Sequence, residues 1–200
     1  MLEKHSDFDI KHHFVNMALL KVFNSSSNNH LWVFGYGSLM WNPGFDYEEV
    51  QRAKVFGLHR APCIYSWVHR GTRERPGIVL GLAQGGTCIG KAFRIHPGNS
   101  AETLDYLRAR ELVTNVYLER HRKIILESGE QVTAVTYIAD SQHEQYAGRL
   151  GHEALIAQIK GAIGKSGPNE SYITDTNDHL IEMGIKDGLM ARISQELKQA

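Results

Sequence analysis

The sequence predicts an α+β fold: a small, strongly bent sheet or barrel with helices packed outside it. Three observations carry the prediction. Strand signals begin at Leu31 and recur to residue 138, helical patterns crowd the C-terminal third, and the two do not alternate as a doubly wound fold requires. A chain of 200 residues, 42% of them hydrophobic, buries a core as one domain, so one active site is expected.

Residues 8–23 place Ile10, Phe14, Met17 and Val22 at near-helical spacing, and the polar run 24–29 follows. Residues 1–30 therefore read as a helical extension and linker, either a docking or dimer element or a helix lying on the core. Residues 31–200 form the main domain. It opens on the strand-like Leu31-Trp32-Val33-Phe34, and segments 52–58, 77–83, 87–95, 122–127 and 131–138 read as short strands between Gly/Pro or charged turns. Glu127-Ser128-Gly129-Glu130 has the composition of a hairpin turn. Between the third and fourth of these segments lies a helix, with Asn99 and Glu102 in a capping pattern and Leu104 and Leu107 starting an apolar stripe. Residues 152–163, 170–184 and 188–198 carry helical patterns joined by the stretch 164–169.

Composition excludes several classes. The 22 Lys and Arg balance the 22 Asp and Glu, which leaves no basic excess for nucleic acid. Cys63 and Cys88 are too few for a disulfide framework or a cysteine metal site and read as buried thiols in a reducing compartment. No apolar run approaches the roughly 20 residues of a membrane helix, and the N-terminus lacks a signal-peptide core, so a soluble cytoplasmic protein is expected. Gly164-Lys165-Ser166 is not a phosphate loop, because Ile159 stands where that motif needs glycine. Neither His143-Glu144 nor His152-Glu153 completes the metalloprotease pattern, and no metal site is expected among the 11 histidines.

Two places carry candidate chemistry. After Phe34 the chain breaks into Gly35-Tyr36-Gly37-Ser38-Leu39, where glycines bracketing a tyrosine either make a tight turn or bulge, or present backbone donors to an oxygen-rich ligand. Glu111 continues the stripe of Leu104 and Leu107 at i, i+3, i+7. A carboxylate there takes a salt bridge to an Arg, lies exposed beyond a shorter helix, or is a general acid/base with a raised pKa.

From Leu31 to about Met190 the sequence resembles the ChaC family of γ-glutamylcyclotransferases, its glutathione-specific branch. The resemblance rests on ordered blocks: Val33-Phe34-Gly35-Tyr36-Gly37-Ser38-Leu39 with Trp41-Asn42-Pro43-Gly44-Phe45; Ser66 and His69-Arg70-Gly71-Thr72; Tyr106-Leu107 with Arg110-Glu111; Ala134-Val135-Thr136-Tyr137; and residues 164–169 with Tyr172. Leu58, Pro62 and the Asn115-Val116 pair depart from the family's usual aromatic, Phe and glycine. The resemblance implies a mixed β-barrel flanked by helices and cleavage of glutathione to 5-oxoproline and cysteinylglycine, a lyase-type reaction without a cofactor. It puts the substrate loop on Val33 to Leu39 and the acid/base on Glu111.

Such a reaction needs no enzyme nucleophile, because the substrate's own α-amine closes on its γ-carbonyl. A proton must leave the amine and another must reach the departing nitrogen, and one carboxylate with a pKa near operating pH does both. Tyr117 is placed to bond the substrate, orient Glu111, or serve as a buried structural tyrosine. Arg70 is a candidate clamp for the glycine carboxylate of glutathione, or a partner of a protein carboxylate. Two alternatives stand beside the leading reading: a cyclotransferase for other γ-glutamyl amides or dipeptides, and a non-catalytic γ-glutamyl-binding or partner-docking module.

Overall fold

The computed structural model describes residues 30–199, and the expected N-terminal helix and linker lie outside the described residues. Five strands close into a barrel in the order β1-β3-β2-β4-β5: β1 Leu31–Gly35, β2 Glu49–Ser66, β3 Gly77–Ile95, β4 Tyr117–Leu126 and β5 Gln131–Ala139. Neighbours are antiparallel except at the closing seam, where β5 meets β1 in parallel through Trp32↔Ala134 and Val33↔Val135. The barrel is therefore mixed. Helix α1 (Ser100–Glu111) fills the connection from β3 to β4, and α2 (His152–Ile159), a small hairpin β6 (Ile163–Gly164) and β7 (Gly167–Pro168), α3 (Asn169–Glu182) and α4 (Gly188–Lys198) follow the last barrel strand.

The strands follow the period-2 pattern that alternation requires. Leu31, Val33, Phe93, Ile95, Val135 and Tyr137 form one buried cluster with Leu107 of α1. Phe34, Ala92, Ala134 and Ile138, on the alternate positions, join a larger cluster with Ile156, Ile173 and Ile193 of the three C-terminal helices. Cys63 and Cys88 are buried and unpaired, and burial pushes the Cys63 thiol up to about 12.

The strands are longer than their sequence signals. Segments 77–83 and 87–95 belong to one bent strand: Gly85 and Gly86, with φ of 94° and 71°, lie opposite Gly57, and the pairing steps from Phe56↔Thr87 to Leu58↔Gln84. Two residues facing one make a bulge, which turns a long strand around a small barrel. The segment at 52–58 extends to Ser66, past a second register shift between Pro62 and Ile64. Proline lacks a ladder donor and the buried Arg60 interrupts the apolar alternation, so this half of β2 carries no strand signature. The capping pattern at Asn99 and Glu102 does not form. The chain enters α1 through a 3₁₀ turn at Pro97–Asn99, and the His96 side chain accepts from the Gly98 N–H. Pro97 presets the first helical φ and starts the turn upstream of Asn99. The β4–β5 hairpin turns at Gly129 as its composition indicates, with Gly129 N–H donating to Leu126 O at 2.9 Å.

Candidate active site

After the pair Gly35↔Lys91, β1 leaves β3 and the chain turns through Tyr36 and Gly37 into a short 3₁₀ segment, Ser38–Met40. Three consecutive carbonyls of this turn are occupied. Tyr36 O accepts from Arg60 Nε at 2.6 Å, Gly37 O from Met40 N at 2.9 Å, and Ser38 O from Asn42 N at 2.8 Å. In a trans peptide the N–H lies opposite the carbonyl, so the N–H groups of Gly37, Ser38 and Leu39 are turned the other way. Those residues line a recess of about 60 Å³.

Helix α1 brings a carboxylate to the same recess. Glu111 is the last helical residue, and its side chain is 19% exposed, less than a surface glutamate and more than a core one. Burial pushes its carboxyl above the ordinary carboxylate range, against the opposing pull of the Arg110 guanidinium. Arg110 Nε stands 3.2 Å from Glu111 Oε1. The same guanidinium donates to Ser38 Oγ at 3.0 Å, to Asn42 O at 2.8 Å and to Tyr106 OH at 3.1 Å, so it spans from the acid to the glycine turn. The salt bridge to an Arg and the raised pKa, alternatives on sequence grounds, are both present.

Tyr117 and Tyr172 line the recess with Leu80. Tyr117 OH donates to Leu80 O at 2.7 Å, and Leu80 N–H donates to Tyr172 OH at 3.2 Å. The Tyr117 proton is thus committed to the backbone, whereas Tyr172, bonded there as an acceptor, keeps its own proton for the recess, which it also lines. Burial raises the hydroxyl pKa of Tyr36 and Tyr117 far above normal and that of Tyr172 to about 12, so all three stay neutral.

The recess opens into a wider groove of about 670 Å³, and Ser38, Glu111, Tyr117 and Tyr172 line both. Arg70 lies in this groove. Its Nη1 donates to Pro168 O at 3.2 Å and its guanidinium sits 5.3 Å over the Tyr172 ring, and among the described residues no carboxylate pairs with it. The β6–β7 hairpin lies against the same segment: Lys165 N–H donates to Val68 O and Ser166 N–H to His69 O. A Cβ on Gly164 would come within 2.5 Å of the His69 carbonyl carbon. The Gly164-Lys165-Ser166 run therefore docks on backbone and cradles no phosphate.

Of the residues singled out from sequence, Tyr36, Gly37, Ser38, Leu39, Glu111 and Tyr117 come together around the recess, and Arg70 lines the adjoining groove. Val33, Phe34 and Gly35 belong to β1, the first two fully buried in the core, and they do not reach the recess. Leu80, Tyr137 and Tyr172 line it without having been assigned a role from sequence. Tyr137 had a usable signal, since it follows Val135 by two on one strand face. Among the described residues no group of three or more His, Cys, Asp or Glu is arranged to hold a metal ion.

A glutathione-specific γ-glutamylcyclotransferase of Escherichia coli (strain K12) is 34% identical over 157 residues, covering 78% of this chain and 68% of the relative. γ-Glutamylcyclotransferase 2-3 of Arabidopsis thaliana is 30% identical over 176 residues, 84% of this chain and 88% of its own length. The crystal structure of a yeast γ-glutamyl cyclotransferase specific to glutathione superposes with a TM-score of 0.77 at 22% identity, covering 85% of this chain and 96% of that one. The ChaC-like protein family model matches residues 31–200. Since that match begins with the first barrel strand and continues beyond α4, the whole described fold is shared, and the chain belongs to the ChaC-like family.

Proposed function

We propose that the protein is a glutathione-specific γ-glutamylcyclotransferase in which Glu111 is the acid/base and the Tyr36–Leu39 turn holds the γ-glutamyl end. One observation carries the reading: a partly buried carboxylate with a raised pKa shares a narrow recess with the backbone donors of Gly37, Ser38 and Leu39. The recess suits the small reacting end of the tripeptide, and the wider groove with Arg70 suits the cysteinylglycine that leaves. The names of the relatives support glutathione as the substrate.

The substrate ammonium loses one proton to solvent to become an amine, and the amine nitrogen attacks the γ-carbonyl carbon to close a five-membered ring. Glu111, ionised, takes the second proton from that nitrogen as the C–N bond forms. The turn's N–H groups stabilise an oxygen that gains charge, a donation worth about 3 kcal/mol when it serves an oxyanion. The bond to the cysteine nitrogen then breaks, and Glu111 returns its proton to the departing amine. Held in a curled form, the substrate gains the intramolecular advantage of about 10⁵ M or more in effective molarity. Arg70, paired with no carboxylate among the described residues, is the candidate for the terminal carboxylate of glutathione. A glutathione substrate carries with it a cytoplasmic setting, in keeping with two unpaired buried thiols.

The test is direct. Purified protein supplied with glutathione should yield 5-oxoproline and cysteinylglycine by mass spectrometry, and Glu111→Gln should keep its circular dichroism while turnover falls about 100-fold or more. Undiminished turnover in that variant would remove Glu111 from the mechanism.

A further inference from the structure

Among the described residues, the most deeply buried ion pair lies outside the recess. Arg60, in the second half of β2, has a side chain only 3% exposed. Its guanidinium makes three bonds at once: Nε to Tyr36 O at 2.6 Å, Nη2 to Ile89 O at 2.7 Å, and Nη1 to Asp187 Oδ2 at 2.8 Å. Tyr36 and Ile89 flank the fork where β1 separates from β3, one residue beyond Gly35 on one strand and two beyond Lys91 on the other. The guanidinium therefore splints the fork. Asp187 in turn caps α4, its other oxygen accepting from Met190 N–H at 3.2 Å.

A buried ion pair is a weak source of stability, because the loss of hydration offsets most of its attraction, and an apolar pair of similar size often serves as well. What an apolar pair cannot do here is hold the Tyr36 carbonyl. That carbonyl and the Gly37 N–H belong to one trans peptide and point in opposite directions, so fixing the first fixes the second. We infer that the Arg60–Asp187 pair is a positioning device for the reaction: by gripping the Tyr36 carbonyl from behind, it sets the aim of the Gly37 N–H in the recess and couples that aim to the start of the last helix. Arg60 itself does not line the recess or the groove; Tyr36 and Gly37, whose peptide it orients, line the recess. The inference rests on the proposed function in assigning the turn to substrate.

Two variants test it. Arg60→Met with Asp187→Asn leaves no unpaired charge inside and keeps a carboxamide oxygen to cap α4. Arg60→Lys keeps the charge but cannot reach three acceptors in the guanidinium's planar geometry. For folded protein at saturating glutathione, the inference expects kcat to fall about 10-fold to 100-fold in both, with KM changed far less. It also expects the Gly37 amide resonance in ¹H–¹⁵N spectra to move while signals from β4 and β5 stay in place. A merely structural pair predicts a lower melting temperature, with kcat per folded molecule within about twofold of the parent and the Gly37 resonance unmoved, and that result overturns the inference. If the double variant does not fold, Arg60→Lys decides by the same two readouts. Absence of product from the unaltered protein would defeat the functional reading alone, and the Gly37 resonance would then judge the splint by itself.

Discussion

At the scale of single residues, the proposed chemistry turns on the balance between Glu111 and Arg110. Burial raises the Glu111 pKa and the neighbouring guanidinium restrains the rise. The acid/base must be ionised to accept a proton, so activity should fall as pH drops through this raised value, at a higher pH than an ordinary carboxylate would give. Removing the restraint in Arg110→Met should move that acidic limb of the kcat profile to still higher pH and lower the plateau, because Ser38 Oγ also loses its partner. A limb left in place would show that Arg110 does not act on the acid. Stability follows the same sign. A carboxyl that binds its proton more tightly in the folded chain contributes stability below its unfolded pKa, and this is lost as pH rises through the folded one. Ionised Glu111 thus opposes folding at neutral pH. Glu111→Gln is expected to melt no lower than the parent at pH 7 and to show a flatter dependence of melting temperature on pH.

Secondary elements explain what the sequence makes legible. The α1 stripe was readable because Leu104, Leu107 and Glu111 follow helical spacing, and the helix does persist to Glu111. The glycine turn was readable as a break in an apolar run. The second half of β2 was not, because Arg60 and Pro62 interrupt the alternation, and Arg60 does so for a reason visible only when Tyr36, Ile89 and Asp187 converge on it. Tyr172 likewise comes to the recess wall through contact with Leu80, 92 residues away in the chain. Asn115, at the departure from the family's glycine, has a φ of 57°, a left-handed conformation that asparagine tolerates better than most residues. The β6–β7 hairpin carries a prediction of its own. Gly164→Ala forces a Cβ against the His69 and Gly71 backbone, where rigid main chain must yield. We expect a loss of about 1–3 kcal/mol in urea denaturation and a raised KM for glutathione, since His69, Arg70 and Ser166 all line the groove. Unchanged values for both would mean the hairpin accommodates the methyl group freely.

At the scale of the whole molecule, the barrel is held shut by a short parallel seam between β1 and β5. Its partners lie roughly 100 residues apart along the chain, whereas β4 and β5 are joined by a tight hairpin, and contacts of long sequence separation form slowly. After dilution from denaturant, far-ultraviolet circular dichroism should recover before glutathione turnover, and turnover should return in the slower phase. Simultaneous recovery would count against late closure. The turn at Tyr36 starts where β1 ends, so it takes its final form only once that strand is seated. On the ribosome, β1 emerges roughly 5 to 20 s ahead of β5 at ordinary elongation speeds. A half-made chain therefore lacks the closed recess, and the proposed activity can meet the cell's thiol pool only when synthesis has passed the final barrel strand.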